Sequence, residues 1–190
     1  MKPALFFFTL SSFFYFFSYP EVDNDLWGHI FFGREIFQGG RILSVNLYSY
    51  TSPDHGWINH EWLAEVIFYG VFSLLGSTGL ILLKLLLGGG IVLLLDGTLR
   101  KGKVSYLFRI LTLVWSMSIL APGFNVRPQI FTYFLFAAVI FLLRGRGEKG
   151  GAALYLLPLF AALWVNLHGG FVAGLGAVGL FSLWTSIEEW

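Results

Sequence analysis

The chain has 190 residues, 56% hydrophobic and 12% charged, with a formal net charge of +1. Soluble domains carry roughly a quarter charged residues, so this composition excludes an ordinary soluble globule, and no basic stretch offers a nucleic-acid surface. The absence of cysteine excludes disulfides, thiolate catalysis and Cys-ligated metals, while leaving the compartment open.

Residues 1–20 hold one cation, Lys2, ahead of an apolar run from Pro3 to Phe17. A secretory signal has the same outline, but Ser18-Tyr19-Pro20 lacks the small residues of a cleavage site. The segment reads as an uncleaved first span with a cytoplasmic N-terminus. The chain then changes character. Glu21 to Glu65 holds seven of the eleven carboxylates and three of the four histidines, His29, His55 and His60. Residues 21–78 therefore read as a loop outside the membrane. Within it, Asp25 to Gln38 suits an amphipathic helix, with Asn24 or Asp25 at the N-cap and Gly39-Gly40 as the stop. Ser44 to Asp54 reads as irregular loop, with a turn at Ser52-Pro53-Asp54. Asn59 to Gly76 is apolar but short, and Glu61, Glu65 and Tyr69 share one helical face.

The connectors orient the later spans. If Asn59 to Gly76 lies in the interface, Leu80 to Leu99 runs inward and leaves Arg100, Lys101 and Lys103 in the cytoplasm. Val104 to Ala121 then runs outward, and Ile130 to Leu143 returns to Arg144, Arg146 and Lys149. Were Asn59 to Gly76 a span, both basic clusters would face outward, against the positive-inside rule. Ala152 to Leu167 and Gly170 to Ile187 complete residues 79–190. The expected fold is all-α, a polytopic bundle of about six spans with two juxtamembrane amphipathic helices in the first external loop. Residues 1–190 form one membrane domain. The expected location is the cell (inner or plasma) membrane. Glycines at 88–90, 169, 170, 174, 176 and 179 suit close helix packing.

This topology sends scattered polar residues to the external face, where each has two readings. Asp23 and Asp25 suit a divalent cation or a general base, and equally an acidic cap on the helix dipole. His29 lies one turn beyond Asp25. His60-Glu61 lacks the second histidine of a zinc HExxH helix, because position 64 is Ala64. Glu61 and Glu65 either form the wet face of an interfacial helix or point into an external cavity. Arg127 suits phosphate through its guanidinium fork, or snorkels; Pro128 suits a first helical turn, followed by Gln129. Asn166-Leu167-His168-Gly169-Gly170 is either a tight turn or a set of polar ligand contacts. Lys84, near the outer end of its span, fits a ligand phosphate or snorkelling. Arg109 is expected to snorkel inward, and Asp96 to be interfacial.

In order, these residues resemble the N-terminal half of a GT-C membrane glycosyltransferase, in the branch with lipid A aminoarabinose transferases and protein mannosyltransferases. Asp25 stands at the motif acid, with Arg34-Glu35-Ile36-Phe37 and Gly40 matching the family's next helix. Leu26 replaces an acidic residue common in that family. Asn59 to Gly76 resembles the second juxtamembrane helix, and Arg127-Pro128-Gln129 an Arg-Pro-acid motif with Gln in the acid's place. Asn166 to Gly170 resembles an external turn of uncharacterised relatives. The family normally has more helices, so the chain reads as the N-terminal part of a longer protein or as an abbreviated relative. The resemblance implies sugar transfer from a polyprenyl-phosphate donor, with the bilayer and an unidentified acceptor as the other partners. Asp25 would be the catalytic base. Asp23, His29, His60, Glu61, Lys84, Arg127, Gln129, Asn166 and His168 would bind substrate. The resemblance fixes no cofactor; a divalent metal, if one is used, would sit at Asp23 and Asp25. The alternative is a non-enzymatic assembly or transport subunit whose external loop, with Trp27, Trp57 and Trp62, binds a partner.

Overall fold

The structure, a computed structural model, describes residues 2–19, 23–52, 54–145 and 152–188. Glu21, Pro53, Arg146 and Lys149 lie outside the described residues. Within them the chain forms seven α-helices: α1 (Lys2–Phe17), α2 (Leu26–Gly39), α3 (Trp62–Lys101), α4 (Tyr106–Leu120), α5 (Gln129–Arg144), α6 (Leu157–Leu167) and α7 (Phe171–Glu188). Three are long and apolar enough to cross a membrane: α3, α4 with its short 3-10 extension to Gly123, and α7. The expectation of six spans is corrected on length. At 1.5 Å per residue, α6, with 11 residues, is about 16 Å long, and α5, with 16, about 24 Å, against a ~30 Å hydrocarbon core.

The helix ends obey local chemistry. Gly40 stops α2 in the left-handed region at φ 62°, and its N–H donates to the Ile36 carbonyl, as an αL cap requires. Pro128 supplies the helical entry to α5 at φ −51°. Helix α3 is broken at Gly76, where φ 60° and ψ −153° leave helical space. The break is sharp. A Cβ on Gly79 would lie 3.0 Å from the Val71 carbonyl oxygen, although eight residues of straight helix separate atoms by about 12 Å. Residues 62–75 therefore form one arm and 77–101 another, the second about 37 Å long at the helical rise.

The first arm packs on α2, and α3 also packs on α5. Gly33 permits the α2 contact, since a Cβ there would fall 2.0 Å from the Glu65 carbonyl oxygen. Phe68 of the first arm stacks on Phe131, near the start of α5. The second arm runs antiparallel to α1. Phe17 sits on Gly88, Phe13 lies against Gly89, and Phe6 lines a cavity with Asp96 and Arg100. Phe17, Phe124, Ile91, Met117 and Ile130 form the buried centre. Gly90 and Gly97 each seat a phenylalanine of α5, and Gly174 seats Trp164. Gly176 and Gly179 face open space, so the packing expected of them is not made among the described residues.

The outer surface stays apolar. Phe6, Phe7 and Phe14 of α1, and Leu175, Leu180, Leu183 and Trp184 of α7, are all exposed. Contiguous apolar surface of this kind is rare on soluble monomers and suits acyl chains.

Candidate functional site

Four parts of the chain meet at one end of the bundle: the start of α2, the entry to α3, the loop before α5 and the turn between α6 and α7. A cavity of about 350 Å³ opens there, lined by Asp25, His29, Asn59, His60, Glu61 and Glu65 among others.

At its rim, Arg127 joins the two acids of the first loop. Its Nε donates to Asp23 Oδ1 at 3.1 Å, and its terminal nitrogen pairs with Asp25 Oδ2. Asp25 occupies the N-cap of α2 but makes no side-chain cap bond; its own N–H donates to Asp23 Oδ1 at 2.9 Å. From the expected N-cap position its carboxylate forms an ion pair spanning 102 positions of sequence. The Asp25 side chain remains 59% exposed and can reach a ligand. Gln129 does not face the cavity: its amide donates to the Gly123 carbonyl at 2.9 Å, which fixes the loop that presents Arg127.

Deeper in the cavity, Glu65 is 3% exposed. Asn59 Nδ2 donates to Glu65 Oε2 at 2.6 Å, and His29 Nδ1 lies 3.4 Å from Oε1. A buried carboxylate needs such partners, because desolvation without them is costly. Asn59 also accepts the Glu61 N–H at 3.1 Å, so one side chain both starts α3 and holds Glu65. Glu65 thus points into the cavity instead of lying on a wet face. Sequence reasoning leaves both Asn59 and Glu65 out of the substrate-binding set. The shared face of Glu61 and Glu65 is the available signal for Glu65; nothing marks Asn59.

Beside the cavity, Glu61 Oε1 stands 3.8 Å from His60 Nε2 and 3.7 Å from His168 Nε2. His168 Nδ1 lies 2.8 Å from Thr132 Oγ1 and accepts the Gly170 N–H at 3.0 Å. Burial lowers the His168 pKa below 6.5; Glu61 opposes that shift and His60 adds to it. Asn166 serves as a tie: its Oδ1 accepts from Trp62 Nε1 at 2.8 Å, and its Nδ2 donates to the Ala162 carbonyl.

Lys84 stands apart. It is 4% exposed, and its Nζ donates to the Tyr19 carbonyl at 2.9 Å, just past the end of α1. Its burial and that contact do not fit snorkelling. His55 sits in the 44–57 loop, which is more ordered than expected: Val45 and Gly56 form an antiparallel bridge, and Asn46 accepts the Asp54 N–H.

Among the described residues, no group of three or more His, Cys, Asp or Glu side chains is placed to hold a metal. Asp23 and Asp25 instead converge on a guanidinium, which supplies the positive charge a cation would bring. In this arrangement both carboxylates are engaged by Arg127.

The opposite end carries the reverse balance. Asp96 pairs with Arg100 and Arg109, each at 2.7 Å. Arg109 is thereby held rather than extended to water. Lys101 lies over the Phe141 ring at 4.0 Å, close to Gly145 at the end of α5. No protein-family model, curated protein or solved structure matches this chain.

Proposed function

We propose that the protein is a membrane glycosyltransferase, or the N-terminal part of one, that moves a sugar from a polyprenyl-phosphate donor to an acceptor at the Asp25 end of the bundle. One observation carries the reading: Asp25 and Arg127, the two motif positions of the GT-C resemblance, pair across 102 residues at the rim of the cavity lined by Asp25, Glu61 and Glu65.

In this reading the polyprenyl tail lies against the apolar helices and the donor phosphate meets Arg127. Asp25 takes the proton of the acceptor hydroxyl or amine as that atom bonds to the anomeric carbon. The bond from that carbon to the phosphate oxygen breaks, and the phosphate leaves with the electron pair. Arg127 stabilises the charge that develops there. Arg127 also holds Asp25 in place before the donor arrives, so phosphate binding would shift the guanidinium from carboxylates toward phosphate. The basic residues Arg100, Lys101, Lys103 and Arg144 lie at the other end, which the positive-inside rule assigns to the cytoplasm. That orientation makes the cavity external, in the cell membrane.

The test is sugar transfer in membranes containing the full-length protein with Asp25→Asn. Transfer should fall by about 10²–10⁴-fold, the usual contribution of a positioned general base. Turnover at the wild-type rate removes Asp25 from the mechanism.

A second reading has a specific observation behind it. Tyr50 is 98% and Ile58 86% exposed in the first loop, as a partner-binding surface would be. Two of the tryptophans expected to bind that partner are engaged internally: Trp57 packs against Phe32, and Trp62 bonds Asn166. A non-enzymatic subunit predicts that Tyr50→Ser with Ile58→Ser disrupts assembly while Asp25→Asn does not.

A further inference from the structure

We infer that His168 is locked as the neutral Nε2–H tautomer and, with Glu61, forms a two-point receptor for a single hydroxyl group of a polyol ligand.

The lock is set by which groups can donate. Trp164 Nε1–H only donates, and it does so to Thr132 Oγ1 at 2.8 Å. Thr132 therefore accepts there and has its own proton to give to His168 Nδ1, 2.8 Å away. The Gly170 backbone N–H also only donates, and it reaches the same Nδ1 at 3.0 Å. Two donors on one ring nitrogen require that nitrogen to be unprotonated, which places the ring proton on Nε2. Protonating Nδ1 would break the Gly170 bond and reverse the Thr132 one, and burial opposes the charge as well.

The surroundings are shaped for this relay. Gly174 makes room for the Trp164 ring, since a Cβ there would sit 2.3 Å from it. A Cβ on Gly170 would fall 2.6 Å from Thr132 Oγ1. Trp164 is buried, so the chain of donors starts from a fixed point.

Nε2, on the other side of the ring, lies 3.7 Å from Glu61 Oε1. That gap is too wide for a direct hydrogen bond, yet one oxygen at ordinary bonding distance, about 2.7–3.0 Å, spans both. A hydroxyl there accepts from Nε2–H and donates to the carboxylate. Phosphate is disfavoured there, because its negative charge meets that of Glu61. The titratable groups facing His168 are Glu61 and His60. Naming a polyol rests on the sugar-transfer reading; the tautomer does not.

The experiment is nitrogen-15 NMR of histidine-labelled protein in nanodiscs, with His168 assigned by loss of its signals in His168→Gln. The expected spectrum at pH 7 shows an unprotonated Nδ1 and a protonated Nε2. Thr132→Val should mix the tautomers, and Thr132→Ser should restore the lock. A protonated Nδ1 in the wild type overturns the inference, as does a Thr132→Val spectrum equal to wild type. Glycerol, methyl α-glucoside and inorganic phosphate are then added in turn. A shift of Nε2 with either polyol, absent with phosphate and absent in Glu61→Ala, supports the receptor. A shift with phosphate alone, or with none of the three, overturns it. Polyol binding without sugar transfer would leave the receptor standing and remove the proposed reaction. Sugar transfer by a protein with an Nδ1–H His168 would do the reverse.

Discussion

The two ends of the bundle solve the same electrostatic problem with opposite signs. At one end a single cation, Arg127, sits between two acids, Asp23 and Asp25. At the other a single acid, Asp96, sits between two cations, Arg100 and Arg109. Each triad keeps one unit of charge after pairing, negative at the first end and positive at the second. The cavities differ in the same way. Carboxylates, imidazoles and two amides line the first. Phe6, Leu10, Val92 and Leu113 dominate the second, which meets charge only where it reaches Asp96 and the arginines. Similar ion triads therefore do not imply similar tasks. Among the described residues, the acidic one adjoins the cavity richer in titratable groups.

The largest effect should separate the triads by function. Arg127→Gln should reduce sugar transfer in proteoliposomes by about two orders of magnitude or more, in line with losing a preorganised charge at a leaving group. Asp96→Asn should leave transfer within a few-fold of wild type. Equal losses would mean that both ends serve only to hold the fold.

Next is the crossing of α2 and α3, which frames the acidic cavity alone. Gly33→Ala drives a Cβ into the Glu65 carbonyl, and overpacking of this kind costs about 1–3 kcal/mol. Gly28, on the same helix, has nothing within 4 Å of an added Cβ. Gly28→Ala should be neutral or raise stability by about 0.4–1 kcal/mol. Thermal unfolding in detergent measures both, and a milder Gly33 variant would show that the helices can part.

A third test fixes which end faces which side. Because the chain has no cysteine, single cysteines at Asp54 and Lys101 report sidedness without background. An impermeant maleimide added to intact cells should label position 54 and spare 101. Labelling at 101 would reverse the assignment of the two ends.

The smallest effect is the pH response of the imidazole beside Glu61. An unfolded histidine takes up its proton near pH ~6.5, whereas folded His168 takes it up at lower pH. Between those values the unfolded chain binds more protons, so stability rises with pH there and is lost as pH falls toward the folded value. Unfolding monitored from pH 7.5 to 5 should show a shallower decline in His168→Gln than in wild type. An unchanged slope would remove His168 as a source of the acid sensitivity.

Much of the architecture is legible in the residues. Apolar runs place all the helices within a few positions, and Gly39-Gly40 and Pro128 mark two ends directly. The break between residues 62–75 and 77–101 is also readable as a boundary, because Asn59 to Gly76 and Leu80 to Leu99 read as separate segments. Partner choice is not legible. Lys84 looks the same in sequence whether it meets phosphate, water or, as here, the Tyr19 carbonyl. Asn59 carries no periodicity, so its bond to Glu65 exists only when the chain is folded. The span count fails because apolar character does not fix helical length: residues 152–156 coil as 3-10 ahead of α6, leaving α6 too short to cross.

The break in α3 also has a stereochemical consequence. The Gly76 dihedrals, φ 60° and ψ −153°, are nearly the mirror image of the polyproline II conformation. That region is comfortable for a D-residue and essentially closed to L-amino acids other than glycine. No neighbour lies within 4 Å of a methyl built there, so crowding is not the obstacle; handedness is. A semisynthetic chain with D-alanine at position 76 should keep its bend, whereas L-alanine, identical in every atom but inverted at one centre, should not.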